Sequence, residues 1–287
     1  MKAKPQSYYD AAYFDTDGDK GYPGPYTLAS APWSRLAMAM VRTFGPTIGV
    51  TTVTEFGCAR GFVLFFLQHM GWKVKGYDFS KFAVETALPG IDIEVADLTK
   101  RSEYEPADLV VCMDVLEHVA KADLPFALKN IRRTMGKAAV VQVYIPGSNV
   151  RLAREPEDHV TNEPREWWLE LFAKNGLRLH HLQPTYELFL RRKVPAVFAD
   201  MWIASSFVLE AIPGWRDSKD IVELIDERIV ADAPKVAKVV SKTVARRKAD
   251  ETDTPESVDG NVAKKPERWA IPDLREAAEQ EILPSPD

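Results

Sequence analysis

From about residue 50 to residue 192, short apolar runs alternate with longer segments of helical period, a pattern that predicts βα repeats and a mostly parallel sheet. Residues 50–56 read as the first strand. After the turn from Gly57 to Gly61, residues 62–70 are apolar almost all round, as in a helix packed on two sides and stopped at Gly71. Residues 72–78 predict the second strand, Ser80 an N-cap for a helix reaching Leu88, and residues 91–95 the third strand. The unbroken run 109–113 has the two-sided burial expected of a central strand. Asp123 is expected to cap a helix with Leu124, Leu128, Ile131 and Met135 on one stripe, closed by Gly136. Residues 138–145 then give a strand, followed at Pro146-Gly147 by a loop of about 17 residues, long enough to suspect a function. Pro164 opens a helix with Trp168, Leu171 and Phe172 inward, ending at Gly176. Residues 177–182 and 186–190, separated by Gln183-Pro184-Thr185, are expected to form an antiparallel hairpin that supplies the last two strands.

The chain changes character on both sides of this core. Residues 1–49 open with Tyr8, Tyr9, Tyr13, Phe14, Tyr22, Tyr26 and Trp33 among Gly, Pro and Asp, which suggests a lid or docking segment. Residues 193–248 read as a helical cap or interface. Within them Lys235, Lys238, Lys242 and Arg246 share helical spacing while Val236, Val239, Val240 and Val244 line another face. Residues 249–287 are dominated by Asp, Glu, Pro and Ala and are expected to be a disordered acidic tail.

Composition narrows the class. With 46% hydrophobic and 28% charged residues the chain is expected to be globular, and no run of 18 uncharged apolar residues suggests a membrane span. The opening MKAKPQSYYD has no apolar stretch after its lysines, and only Cys58 and Cys112 are present, so a reducing cytoplasm is expected. The net charge of −5 is uneven: residues 249–287 carry 11 acidic against 4 basic residues, leaving 33 basic against 31 acidic in residues 1–248. A nearly neutral body does not exclude an anionic acceptor.

The chemistry concentrates at the ends of the predicted strands. Glu55-Phe56-Gly57-Cys58-Ala59-Arg60-Gly61 is a strand turning on glycines into a helix, and Asp78 ends the next strand 21 residues after Gly57. Glycines let backbone approach a ligand, and a carboxylate at that second position can accept from a ribose diol. A nucleoside cofactor is implied. Bulky Phe62 stands where the dinucleotide fingerprint wants Gly or Ala, which weakens the NAD alternative.

These residues resemble the first motif of the class I S-adenosylmethionine-dependent methyltransferases, an acidic residue followed by Gly-x-Gly-x-Gly, with Ala59 in place of the middle glycine. The resemblance continues in register through Gly76-Tyr77-Asp78-Phe79-Ser80, then Val95-Ala96-Asp97-Leu98, then Asp114-Val115-Leu116-Glu117-His118-Val119, in the small-molecule and general branch of the family. It implies a Rossmann-like doubly wound α/β fold with a seven-stranded sheet, mostly parallel with one antiparallel strand, plus C-terminal helices. It also implies that Glu55 orients the methionine amino group and that the backbone of Gly57, Ala59 and Gly61 passes under the methionyl chain. Asp78 would hold the ribose and Phe79 lie against the base. Asp97 and the Leu98 backbone would meet the adenine, and Asp114 the sulfonium end. His159, in the loop after strand five, and His118 are the candidate catalytic bases for an acceptor that must lose a proton.

The function expected is methyl transfer from S-adenosylmethionine to an oxygen or nitrogen of a small-molecule, sugar or lipid-linked acceptor, with no metal. RNA or protein acceptors remain alternatives, as do an inactive cofactor-binding module and another enzyme on the same fold. The segment after Asp114 lacks the Asn/Asp-Pro-Pro-aromatic motif of nucleobase amino methylation.

Overall fold

The structure, a computed structural model, describes residues 3–15, 25–100, 103–147 and 157–215. The basic stretch 235–248, the acidic tail and Tyr22 lie outside the described residues. The body of the sheet follows the expected alternation: β1 (Thr52–Phe56), α3 (Phe62–His69), β2 (Lys73–Asp78), α4 (Lys81–Glu85), β3 (Ile93–Val95), β4 (Ala107–Met113), α5 (Leu124–Thr134), β5 (Met135–Gln142), α6 (Arg165–Lys174) and β6 (Leu177–Leu179). Before it come the short α1 (Ala11–Phe14) and α2 (Trp33–Ile48), and after it α7 (Gln183–Lys193), α8 (Ala196–Ser205) and β7 (Ser206–Ala211).

The seven strands lie in the order β3-β2-β1-β4-β5-β7-β6, with β7 antiparallel to both β5 and β6 and the other pairs parallel. Alternate residues of the central strands enter opposite cores, which is why their sequence is continuously apolar. Leu109, Val111, Ala138, Val140 and Val208 join α2, α3, α7 and α8 on one face, while Val110, Cys112, Ala139, Val141, Phe207 and Leu209 join α5 and α6 on the other. Each fully buried Val, Leu or Phe side chain among these contributes roughly 1.5–3 kcal/mol of transfer free energy.

The expected hairpin at 177–190 is corrected. The seventh strand is β7, inside the segment assigned to a helical cap, and residues 186–190 are helical. Leu182, Tyr186, Leu190 and Val194 are all buried at spacing of four, which places them on one helix face, and Pro184 occupies the first turn of α7, where its missing N–H costs nothing. What starts β7 is polar and distant. Arg165 Nη1 donates to the carbonyls of Ala204 and Ser206 at 3.0 Å each, and Gln183 Nε2 donates to the same Ser206 carbonyl at 3.3 Å while its Oε1 accepts from Val208 N.

Two expected caps also differ. Asp123 stands before α5 with its own backbone helical and makes no capping bond, and α5 passes straight into β5 at Met135, so Gly136 is a strand residue against the Ala107 carbonyl. Ser80 does cap α4, accepting from Ala83 N at 3.0 Å. Among the described residues no helix is long and apolar enough to cross a membrane.

Candidate functional site

The sheet's connections reverse between β1 and β4: the chain leaves β1 toward β2 and β3, then returns to the other side of β1. In open α/β sheets the crevice beyond the carboxyl ends at such a switch is where ligands bind. A cavity of about 610 Å³ occupies that place. It is lined by Glu55, Gly57, Ala59, Asp78, Phe79, Asp97, Leu98, Asp114, His118 and His159, so the structure brings together every residue singled out in the sequence except Gly61. Gly61 instead precedes α3 in a left-handed conformation, where an added Cβ would come within 2.8 Å of Ile93.

The glycine turn is shaped by its neighbours. Gly57 has φ +70° and its N–H donates to the Tyr77 carbonyl at 2.7 Å, tying the turn to β2. A Cβ there would lie 2.1 Å from Val115 Cγ2, in the turn after β4. Gly57→Ala is therefore expected to cost about 3 kcal/mol, from left-handed strain of ~1–2 and overpacking of ~1–3 kcal/mol. Adding Val115→Ala should recover the overpacking part, and a single-variant loss below about 0.5 kcal/mol in chemical denaturation would contradict this packing. Ala59, at φ +47°, accepts the conformation a glycine would take more easily, and its N–H is secured by Asp78 Oδ2 at 2.7 Å.

Each Asp78 oxygen takes one backbone N–H, Oδ2 from Ala59 and Oδ1 from Ser80 at 2.6 Å, and retains a lone pair for a ligand. Burial pushes its carboxyl up to about 6 against those two bonds. Glu55 is more exposed to the cost of burial: its Oε2 is buried with no partner, and burial, then the charge of Asp78, pushes it up to about 8. A cationic ligand group would satisfy that oxygen. Asp97 differs, because although burial works against its charge, Thr99 and Lys100 outweigh it and hold the carboxyl below its usual range. The Leu98 carbonyl is already taken by Asn130 Nδ2 at 2.8 Å.

At the other end of the cavity Asp114 has φ +54° and both its oxygens accept from Gln142 Nε2, at 3.0 and 3.1 Å. Gln142 ends β5, and a polar side chain closing an apolar run is its signal in the sequence. The short 3₁₀ turn Leu116–His118 follows, and its Glu117 accepts at its carbonyl from Val160 N (2.8 Å) and Thr161 N (3.0 Å). These bonds carry the loop after β5 to the turn after β4. The rings of His118 and His159 consequently meet edge to face with centroids 4.8 Å apart. His118 Nδ1 is 3.2 Å from both the Asp158 carbonyl and its Oδ2. Burial disfavours a charge on His118, but Asp158 and Glu117 outweigh it and raise its pKa, whereas burial and the His118 charge lower that of His159. Burial, then Asp114, raises that of Glu117.

The aromatic N-terminal segment closes the cavity's side. Tyr9, Tyr13, Phe14, Tyr26 and Trp33 line it. The segment is anchored where the Ser80 hydroxyl donates to the Tyr9 carbonyl, and where Arg60 pairs with Asp15 at 2.6 Å and donates to the Tyr26 carbonyl at 3.2 Å. Phe62, the bulky residue that argued against a dinucleotide, stacks on Tyr26 at 5.0 Å and 19°.

Among solved structures, a TehB-like S-adenosylmethionine-dependent methyltransferase from Corynebacterium glutamicum is 20% identical, with 63% of this chain and 88% of that one covered and a TM-score of 0.45. An O-methyltransferase from a trans-AT polyketide multienzyme of Brevibacillus brevis, in complex with S-adenosyl-L-homocysteine, is 16% identical over 69% and 83% at 0.43. CalS10, an amino pentose methyltransferase from Micromonospora echinaspora, is 18% identical over 42% and 55% at 0.38, so the chain spans little more than half of that relative's length. A search of curated proteins finds no match. The decisive similarity is to a family model described as a methyltransferase domain, matched over residues 33–187, more than half of the chain and the whole stretch from α2 into α7. The chain belongs to that methyltransferase-domain family.

Proposed function

We propose that the chain is a methyltransferase enzyme that holds S-adenosylmethionine along the carboxyl ends of β1, β2 and β4 and passes its methyl group to an oxygen or nitrogen of a small acceptor held near His118 and His159. The observation that carries this reading is the single cavity joining Glu55 and Asp78 to the two histidines, at a volume within the ~300–1,000 Å³ of small-molecule sites. The donor supplies an electrophilic methyl on a sulfonium centre. Glu55 Oε2 would meet the amino group, Asp78 the ribose hydroxyls, and Asp97 with the Leu98 N–H the adenine edge, with Phe79 against the base. Asp114 would face the sulfonium end. In-line displacement disperses charge rather than creating it, so the protein's work is orientation and exclusion of water, to which the N-terminal aromatics contribute.

The cavity's charge shapes the acceptor. Glu55, Asp78, Asp97, Asp114, Glu117 and Asp123 line it against Lys4 and Lys100. Burial pushes Glu55 and Glu117 up to about 8, so part of that surplus is uncharged near neutral pH and the lining favours a neutral acceptor. A reducing, cytoplasmic setting is supported by the two buried, unbridged cysteines, Cys58 and Cys112.

Incubation with methyl-labelled donor and cell extract, fractionated into small molecules, lipid, protein and nucleic acid, tests the reading. Label should appear in the small-molecule or lipid fraction only when the protein is present. Label confined to protein or nucleic acid, or no transfer at all, would overturn it.

A further inference from the structure

Glu117, His118 and His159 form a second constellation within the cavity that the cofactor reading does not use. One potential ligand atom of each lies within 4.8 Å of the others. Glu117 Oε2 and His159 Nδ1 are buried without a hydrogen-bond partner, on side chains only 1% and 8% exposed, a costly arrangement unless something else satisfies them. His118 turns Nδ1 toward Asp158 and leaves Nε2 as its remaining donor atom. The Asp158 carbonyl is hydrogen-bonded to the far nitrogen with Oδ2 of the same residue beside it at 3.2 Å, and a carbonyl or carboxylate behind an imidazole orients metal-ligating histidines. From these residues we propose that Glu117, His118 and His159 bind a divalent first-row transition-metal ion at the acceptor end of the cavity, with Asp158 positioning His118.

Two imidazoles and one carboxylate suit Mn²⁺, Fe²⁺, Co²⁺ or Zn²⁺ better than Mg²⁺ or Ca²⁺, which prefer all-oxygen sites. Ligand bonds of about 2.0–2.2 Å require the three atoms to stand about 3–3.5 Å apart, so the side chains draw in by about 1 Å on binding. The backbone already holds them ready. The Val160 and Thr161 N–H groups bond the Glu117 carbonyl, Thr161 Oγ1 donates to the Val119 carbonyl at 2.8 Å, and Lys121 Nζ pairs with Glu163. Three protein ligands leave positions open for an acceptor oxygen.

The use of the ion in catalysis rests on the methyl-transfer reading, although its binding does not. A metal-bound acceptor hydroxyl releases its proton to water more readily. Its oxygen then forms the new C–O bond as the C–S bond breaks, both electrons of that bond remaining on sulfur to give neutral S-adenosylhomocysteine. This assigns the site oxygen rather than nitrogen acceptors.

Chelator-stripped full-length protein titrated with Co²⁺ and with Mn²⁺ tests the site without any turnover. One equivalent of Co²⁺ should bind, with visible absorption bands of a nitrogen- and oxygen-ligated ion, and Glu117→Gln and His159→Ala should each abolish those bands. Asp158→Asn should weaken binding by about 10- to 100-fold. Binding of S-adenosylhomocysteine, measured on the same samples, separates failure of the metal site from failure of the cofactor site and reports that each variant is folded. Absence of a stoichiometric site in the wild-type protein at millimolar Co²⁺ or Mn²⁺ would overturn the proposal. So would unchanged bands in Glu117→Gln and His159→Ala.

Discussion

Replacing Asp78 with alanine is expected to weaken binding of S-adenosylhomocysteine by about 100-fold or more. The carboxylate ends β2, and each of its oxygens keeps a lone pair after accepting from Ala59 and Ser80. Two ribose hydroxyls donating to them form charge-assisted bonds worth about 1.5–3 kcal/mol each, and the lower limit of that sum is already a hundredfold. The same substitution strips two buried N–H groups of their acceptor, so a loss of stability of about 2 kcal/mol is expected alongside. Asp78→Asn separates the effects, because one amide oxygen restores one of the two backbone bonds. Calorimetry on samples whose thermal unfolding shows them folded reads the affinity. An alanine variant binding within threefold of the parent would remove Asp78 from the ribose site.

Glu55→Gln is expected to make the ligand-free protein more stable at pH 8 while weakening its hold on the donor. Glu55 titrates near 8 in the fold against about 4.5 in the unfolded chain, because burial and then Asp78 disfavour its charge. The sign follows directly. Below pH 4.5 both states are protonated and nothing is lost; between 4.5 and 8 the unfolded chain has released the proton that the fold still holds, so stability falls as pH rises. At about 1.4 kcal/mol per unit the slope amounts to several kcal/mol by pH 8. Asp78, raised to about 6, adds a shorter slope of the same sign. The glutamine variant should lack the Glu55 share, so that the difference between the two melting curves widens from pH 5 to pH 8. Donor binding runs the other way, since a cationic amino group favours ionised Glu55. Affinity should tighten by up to about tenfold per pH unit between 6 and 8 in the parent and less in the variant. Parallel pH profiles for the two proteins would contradict this role.

Much of this site is legible in the chain because a parallel sheet delivers the carboxyl ends of its strands to one edge. Glu55, Asp78 and Asp114 each end or follow an apolar run, and once the runs are read as parallel neighbours their convergence follows. The turn 57–61 and the Ser80 cap are equally local, set by glycine conformations and one hydroxyl. β7 is different. Residues 201–209 form one apolar stretch across the α8–β7 junction, and the break at Ser206 is made by Arg165 and Gln183, which lie 41 and 23 residues away. No local pattern records such bonds. The meeting of His118 with His159 likewise depends on backbone bonds from Val160 and Thr161 to Glu117, so each histidine was visible alone and their pairing was not. Glu117 lies in the segment from Asp114 to Val119, yet only the fold shows its Oε2 buried and unpartnered beside them.

The central claim is that the crevice between β1 and β4 is built for S-adenosylmethionine. Equilibrium titration of the purified protein with S-adenosylhomocysteine, repeated in the presence of NAD, tests it most directly. The account predicts one-to-one binding at roughly micromolar concentration, near −8 kcal/mol, unaffected by millimolar NAD. Absence of binding at about 1 mM, or displacement by NAD, would contradict it.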